Sequence, residues 1–459
     1  MTPVELFFDR GTLLLKNPPK ALPKIFSQFK WDERVLSYRA PAYHYYDIAI
    51  YLHKKSVPFL DNAKNFEPTS FHLAQRIAPR NYQQEALNHW LEVGKRGVVT
   101  LPTGAGKTML AMLCISRTSR PTLVHVPTID LMQQWHGLLE QFFGVRVGRV
   151  GGGYKNWEQL TVSTYDSALL QVEYYGNRYG LLIFDECHHL PGDQFQYVAL
   201  ASMAPFRLGL TATPERSDGK EALVYEICGP LVYQVHIDEL EGRTLAPYRV
   251  QTIEIELTTS ELEEYKRLRN IFLNFIRRER IRFDEPNGWQ NFLFKSSRSL
   301  DGREAFQAYL AQKKLSQASC TKLQQVWQLL AQHIDDRVIL FTQDNEMAYK
   351  IGREFLLPVL THHTRSTERE QLLQKFREGI YPTLVTSKVL NEGVDVPEAN
   401  VAIVVSGSGS IREHVQRLGR ILRASPGKQA ILYELIAKET GEYYVNQRRR
   451  QHRAYERFS

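Results

Sequence analysis

With 459 residues, 43% hydrophobic and 24% charged, the chain is ordinary globular material for about two to four domains. A net charge of +8 leans toward a polyanionic partner. The four cysteines contain no CxxC pair, so zinc and iron–sulfur chemistry lack support, and Cys114, Cys187 and Cys228 read as small core residues in a reducing compartment. The start lacks a signal-peptide pattern and no apolar run reaches about 18 residues, so a cytoplasmic protein with no membrane contact is expected.

Residues 1–66 form a block of their own. Stretches 4–8, 12–16 and 43–46 have strand composition, 47–54 reads as a short helix, and Arg10-Gly11 and Asn17-Pro18-Pro19 are turn signals. A small N-terminal α/β module is expected, with aromatics that fill its core or stack on bases. From 67 to 245, strand and helix patterns alternate, with strands at 97–101, 122–126, 160–164, 181–185 and 207–211. Such alternation implies a parallel sheet covered on both faces, with ligands at the carboxyl ends of its strands. Lys107, Asp185 and Thr211 fall at those ends.

A second alternating block takes in 246–256 and 317–445, with strands at 337–341, 383–386, 401–405 and 430–434. Between them, 257–316 is mostly helical and opens at Thr259-Ser260-Glu261. It carries ten Lys/Arg against four Asp/Glu between Lys266 and Arg303. Phe272, Phe275, Trp289, Phe292 and Phe294 interleave with that charge. Either this is an electrostatic surface with stacking platforms, or a helical hairpin with buried aromatics and solvated charges. The chain thus divides into 1–66, 67–245 and 246–459, the last carrying the insertion 257–316. Arg448, Arg449, Arg450, Arg453 and Arg457 read as a solvated tail.

The stretch Leu101-Pro102-Thr103-Gly104-Ala105-Gly106-Lys107-Thr108 lies between a strand and a helix, the setting of a phosphate-binding loop. Gly104 and Gly106 let the backbone approach an anion, and the helix N-terminus adds positive potential. Lys107 would reach the β- and γ-phosphates, and the Thr108 hydroxyl would ligate Mg²⁺. Leu101 replaces the usual first glycine. The apolar strand 181–184 ends in Asp185 and Glu186, suited to holding Mg²⁺ and orienting an attacking water. His188 could carry the state of this site to a neighbouring element. Arg420 and Arg423, three apart on a helical stretch, share one face and could offer cations to a γ-phosphate.

In this order the stretches resemble the motifs of superfamily-two helicases. Arg80 and Gln83 resemble the adenine-reading Q motif, and Thr103, Gly104, Ala105, Gly106, Lys107 and Thr108 resemble motif I. Asp185-Glu186-Cys187-His188 is similar to motif II, and Thr211-Ala212-Thr213 to motif III. Asn391-Glu392-Gly393-Val394-Asp395 resembles motif V, with Gly393 and Asp395 on the nucleotide. Gln416 to Arg423 resembles motif VI, with Gln416, Arg420 and Arg423 in catalysis. Within that superfamily the XPB group, short archaeal-type members in particular, is the nearest likeness. It implies two RecA-like domains, an N-terminal damage-recognition module and a thumb at 257–316. ATP, Mg²⁺ and sequence-independent binding of double-stranded or forked DNA follow from the resemblance. It implies 3′-to-5′ movement in excision repair or transcription, by a monomer or heterodimer with a partner nuclease. Alternatives are a motor subunit of a nuclease or restriction system, or a translocase that separates no strands. Pro127, Thr128, Ser163, Thr164, Thr342, Thr386 and Ser387 resemble groups that hold strand phosphates. Arg216-Ser217-Asp218 stands where the family carries Arg-Glu-Asp; Arg216 and Asp218 are the DNA candidates there. By this resemblance ATP would hold the two domains together and phosphate loss would let them part.

Overall fold

The computed structural model describes residues 3–19, 21–74, 78–192, 194–213, 219–240, 245–285, 287–387, 399–406 and 430–443. These fall into two compact units, one within 1–240 and the other within 241–459.

The first unit opens with β1 (Val4–Asp9), β2 (Thr12–Lys16), β3 (Lys30–Asp32), β4 (Ser37–Pro41) and β5 (Phe59–Asp61), in the order β3-β4-β2-β1-β5. Arg10 and Gly11 join β1 to β2 with φ of 44° and 79°, the left-handed pair a two-residue hairpin requires. The strand expected at 43–46 is not there. Ala42–His44 is a 3₁₀ turn running into the helix Tyr45–Lys54. Tyr45, Ile48 and Leu52 are its buried positions, and this helical spacing overrides the strand preference of the aromatics.

The rest of the first unit is built on eight strands: β6 (Arg96–Thr100), β7 (Thr122–Val126), β8 (Gly148–Gly151), β9 (Tyr154–Asn156), β10 (Leu160–Thr164), β11 (Leu181–Asp185), β12 (Phe206–Thr211) and β13 (Leu231–Gln234). Their order is β13-β6-β12-β11-β7-β10-β8-β9, parallel except for the β8–β9 hairpin. The strand β12 therefore lies between β6 and β11, and the ends of all three meet at one edge. Residues of β7, β10 and β11 are buried throughout, as strands covered on both faces must be.

Arg207 of β12 fastens the N-terminal sheet to this one. It is fully buried, and Nε, Nη1 and Nη2 donate to the carbonyls of Ala204, Ile227, Ala199 and Ser202 at 2.9–3.4 Å. Its remaining face lies 4.5 Å from the Tyr43 ring, which also stacks on Arg96 at 5.1 Å. The Tyr43 hydroxyl donates to Glu226 O at 2.6 Å. Burial, with Arg96 nearby, lowers the Arg207 guanidinium to about 10, which leaves it cationic at neutral pH.

The second unit holds β14 (Tyr248–Ile255), β15 (Val338–Phe341), β16 (Val359–Leu360), β17 (Thr383–Thr386), β18 (Val401–Val404) and β19 (Ala430–Ala437). They pair in parallel in the order β14-β19-β18-β15-β17-β16. Between β14 and β15 come the helices Thr259–Arg278, Gly288–Ser297 and Leu300–Gln317. A capping box between Thr258 and Glu261 starts the first of them. Phe275 and Phe292 are buried in a core shared with Phe272, whereas Trp289 and Phe294 are 43% and 56% exposed. Both readings of this insertion thus find residues of their own. Among the described residues no helix is long and apolar enough to cross a membrane.

Lysine has three donors and no planar fork, so Arg207→Lys cannot meet all four carbonyls. Urea denaturation is expected to show a loss of about 1–3 kcal/mol.

Candidate nucleotide site

The loop after β6 is held from outside by the helix Asn81–Glu92. Gln83 Nε2 donates to the carbonyls of Ala105 and Gly106 at 3.2 and 3.1 Å, and the Tyr82 hydroxyl donates to Ala105 O at 2.7 Å. Gln83 Oε1 in turn accepts from Arg80 N at 3.0 Å, and Arg80 Nη1 donates to Tyr82. C=O and N–H of a trans peptide point oppositely. Tying these carbonyls to Gln83 and Tyr82 therefore aims the N–H groups of Gly106 and Lys107 the other way.

Gly104 and Gly106 adopt φ of 85° and 84°, and a Cβ on Gly106 would sit 2.5 Å from Gln83 Nε2. The helix Lys107–Thr118 then begins without a side-chain cap. Thr108 lies in its first turn. Leu101, in the place of the usual glycine, is buried, and its N–H bonds to Thr211 O at 3.0 Å. The loop is thereby fastened to β12, and the two later glycines make the turn. The Thr103 hydroxyl is buried with no hydrogen-bond partner among the described residues. An orphaned donor beside inward-facing N–H groups suits a phosphate oxygen.

At the end of β11, Asp185 is 5% exposed. Trp135 Nε1 donates to Oδ2 at 2.9 Å, and Glu186 N donates to Oδ1 at 3.1 Å. Tyr165 supports the backbone there, its hydroxyl donating to Asp185 O at 2.9 Å. Burial, and the Glu186 charge after it, push the Asp185 carboxyl up to about 6. Glu186 sits at φ 50°, a left-handed conformation that costs a non-glycine residue roughly 1–3 kcal/mol. Its Oε1 lies 3.4 Å from Lys107 Nζ, so a cation and two carboxylates converge in a nearly dry crevice. His188 Nδ1 is 3.1 Å from Thr211 Oγ1 and 3.5 Å from Glu186 Oε2. Since Thr211 Oγ1 donates to Thr213 O at 3.0 Å, the proton between His188 and Thr211 belongs to Nδ1.

Three family models match successive parts of the chain. Residues 6–63 match the xeroderma pigmentosum group B helicase damage recognition domain, 76–216 the type III restriction enzyme res subunit, and 303–455 the ERCC3/RAD25/XPB C-terminal helicase. A protein of Sulfurisphaera tokodaii named DNA 3′-5′ translocase XPB2 is 39% identical over 92% of this chain and 95% of its own. The chain belongs to the XPB family of superfamily-two helicases. Another relative, the DNA 3′-5′ helicase XPB of Mycobacterium tuberculosis, is 31% identical over 81% of this XPB-family chain and 63% of its own length. Among solved structures, the Hef helicase domain of Pyrococcus furiosus aligns with TM-score 0.54 and 18% identity, over 81% of this chain and 98% of that one. Dbp5 of S. cerevisiae, bound to RNA and ADP BeF3, aligns with TM-score 0.58 and 14% identity, over 81% and 87%. These likenesses give the fold, two RecA-like domains.

The DNA candidates of this XPB-family chain stand at strand ends in each unit. In the first, Pro127 follows β7, and Thr128 caps the helix Ile129–Phe143 by accepting from Leu131 N at 3.2 Å. Thr164 caps Tyr165–Leu169, and buried Ser163 donates to Val150 O at 3.1 Å. In the second, the Thr342 hydroxyl donates to Asp344 O at 2.8 Å and the Thr386 hydroxyl to Ser387 O at 3.3 Å. The Ser387 hydroxyl is buried with no hydrogen-bond partner among the described residues. Arg216, Asp218, Gly393, Asp395, Gln416, Arg420 and Arg423 lie outside the described residues. Sequence reading missed Trp135, Tyr165 and the clamping by Tyr82. Tyr82 adjoins Gln83, but nothing in the spacing of Trp135 marks Asp185 as its partner.

Gly106→Ala meets both a positive φ and the Gln83 amide. It is expected to abolish nucleotide binding in equilibrium titrations and to cost about 1–2 kcal/mol in unfolding. Asp185 carries a linked prediction. Its folded pKa lies above its unfolded one, so its contribution to stability is complete below pH ~4 and is lost as pH rises through about 6. Without nucleotide, the parent is expected to lose stability as pH rises from ~4 through about 6, and Asp185→Asn, which cannot titrate, is expected to remove that part of the pH dependence; melting each across that range checks it.

Proposed function

We propose that this chain is an ATP-driven DNA helicase or translocase of 3′-to-5′ polarity, acting in excision repair or transcription. The carrying observation is the convergence of Lys107, Asp185 and Glu186 beside a loop whose N–H groups face inward. The relatives' names support the reading: DNA 3′-5′ translocase XPB2 in Sulfurisphaera tokodaii for the polarity, and the helicase/translocase subunit of the general transcription and DNA repair factor IIH in Encephalitozoon cuniculi for repair and transcription.

In this reading Thr103, Gly104, Ala105, Gly106 and Lys107 cradle the phosphates, with Arg80 and Gln83 behind them. Lys107 exchanges Glu186 for a phosphate oxygen, and Glu186 is then placed to orient water and take its proton. Thr108 and Asp185 would hold Mg²⁺, which would neutralise charge on the phosphate oxygens. By the same resemblance, Arg420 and Arg423 would supply further positive charge, Gln416 would join them in catalysis, and Gly393 and Asp395 would bind the nucleotide. The domain assignment of 1–66, 67–245 and 246–459, with a thumb at 257–316, belongs to the same proposal. Phosphate gripping at the strand-end hydroxyls, and at Arg216 and Asp218, makes binding independent of sequence and weaker in salt. The match of 76–216 to a restriction subunit favours a second reading, the motor of a nuclease system.

Glu186→Gln is expected to lower DNA-stimulated ATP turnover by about 10²–10⁴-fold. Lys107→Ala should do the same, with both variants still folded. Turnover retained in either would sink the reading. Strand displacement on forked DNA separates opening from movement alone, and DNA cleavage by a co-purifying subunit would favour the second reading.

A further inference from the structure

Trp90 and Trp135 are fully buried in the first unit, and each indole N–H reaches one distant acceptor. Trp90 Nε1 donates to the backbone oxygen of Arg207 at 3.0 Å, at the start of β12 and away from the crevice. Trp135 Nε1 donates at 2.9 Å to Oδ2 of Asp185, a carboxylate in the crevice itself.

An indole has one donor and no acceptor, and an ionised carboxylate only accepts. The bond therefore has one possible sense. The other oxygen, Oδ1, is taken by Glu186 N at 3.1 Å. Two donors, one on each oxygen, fix both the tilt and the rotation of the carboxylate. Neither can be replaced by water, because the residue is 5% exposed. What remains for a cation is the second lone pair of each oxygen, in directions these two bonds set. The Glu186 N–H comes with the backbone of the strand end itself. The Trp135 N–H is brought from the middle of the helix Ile129–Phe143, on another element.

We propose that Trp135 is a positioning residue for the reaction: its N–H holds Asp185 in the orientation that accepts the Mg²⁺ of a bound nucleotide. This rests on the reading of Asp185 as a cation-holding carboxylate. Trp135 touches neither nucleotide nor metal, so its removal acts on metal-dependent affinity. The part of nucleotide binding that the loop backbone supplies is left in place.

The test compares Trp135→Phe with Trp90→Phe, since each removes one buried indole bond and a similar volume. Binding of fluorescently labelled ADP is titrated with Mg²⁺ present and again in EDTA, beside thermal melting of each variant. Both variants are expected to melt lower than the parent. Only Trp135→Phe should weaken binding in Mg²⁺, by about tenfold or more, as loss of a bond to a charged group implies. It should also move the Mg²⁺ midpoint upward and leave the EDTA value unchanged. If Trp135→Phe does not fold, 3-benzothienylalanine in place of Trp135 keeps the bicyclic shape, exchanges N–H for sulfur, and carries the same expectation. Equal behaviour of the two tryptophan variants, or a loss of the same size in EDTA, overturns the proposal. A parent whose nucleotide affinity ignores Mg²⁺ overturns the reading of Asp185 first, and this inference with it.

Discussion

The carbonyl oxygens of Ala105 and Gly106 are turned onto Gln83 and Tyr82, and the usefulness of the loop for anions follows from that arrangement. Buried backbone N–H and C=O groups each need a partner, and in a trans peptide they face opposite ways. Here the satisfying groups come from the separate helix Asn81–Glu92, which precedes β6 and the loop. The glycine conformations and the absence of a capping side chain complete the same arrangement. No single residue makes the anion site; a hydrogen-bonded frame around the loop does.

Opposite the loop, three charged groups are gathered where water scarcely reaches. Such grouping is costly unless the charges compensate one another. Lys107 opposes Glu186, and donors from Trp135 and the Glu186 backbone fix Asp185. Compensation is incomplete, since burial still raises the Asp185 carboxyl and Glu186 still occupies a left-handed backbone conformation. Unspent electrostatic and conformational strain of this kind is characteristic of sites kept ready for a ligand. Glu186, His188, Thr211 and Thr213 are linked in series at the carboxyl ends of β11 and β12.

Much of this could be read from the chain itself. The central strands β11 and β15 stood out because burial on both faces leaves unbroken apolar runs. Short edge strands such as β13 and β16 carry no such run and went unseen. The segment 43–46 misled because three aromatic rings favour extended chain, whereas the spacing of Tyr45, Ile48 and Leu52 belongs to a helix. At the site, Lys107, Asp185 and Glu186 were legible from residue type at strand ends. Trp135 was not, because an amphipathic helix with a buried tryptophan looks the same whether its N–H meets a backbone carbonyl or a functional carboxylate. The contrast with Trp90 shows that the difference lies in tertiary contacts.

Arg207 has a consequence for how this protein can vary. The cation is covered on one side by Tyr43, in the 3₁₀ turn of the N-terminal module, and its charge is answered by backbone dipoles, with no carboxylate partner among the described residues. An excised N-terminal segment would leave that charge facing solvent and uncover the apolar floor around Met203, which packs in the core of the N-terminal sheet. The two pieces are therefore poor candidates for shuffling among relatives as independent cassettes. Exchange of one drags the other along, and drift at position 43 is answerable to position 207.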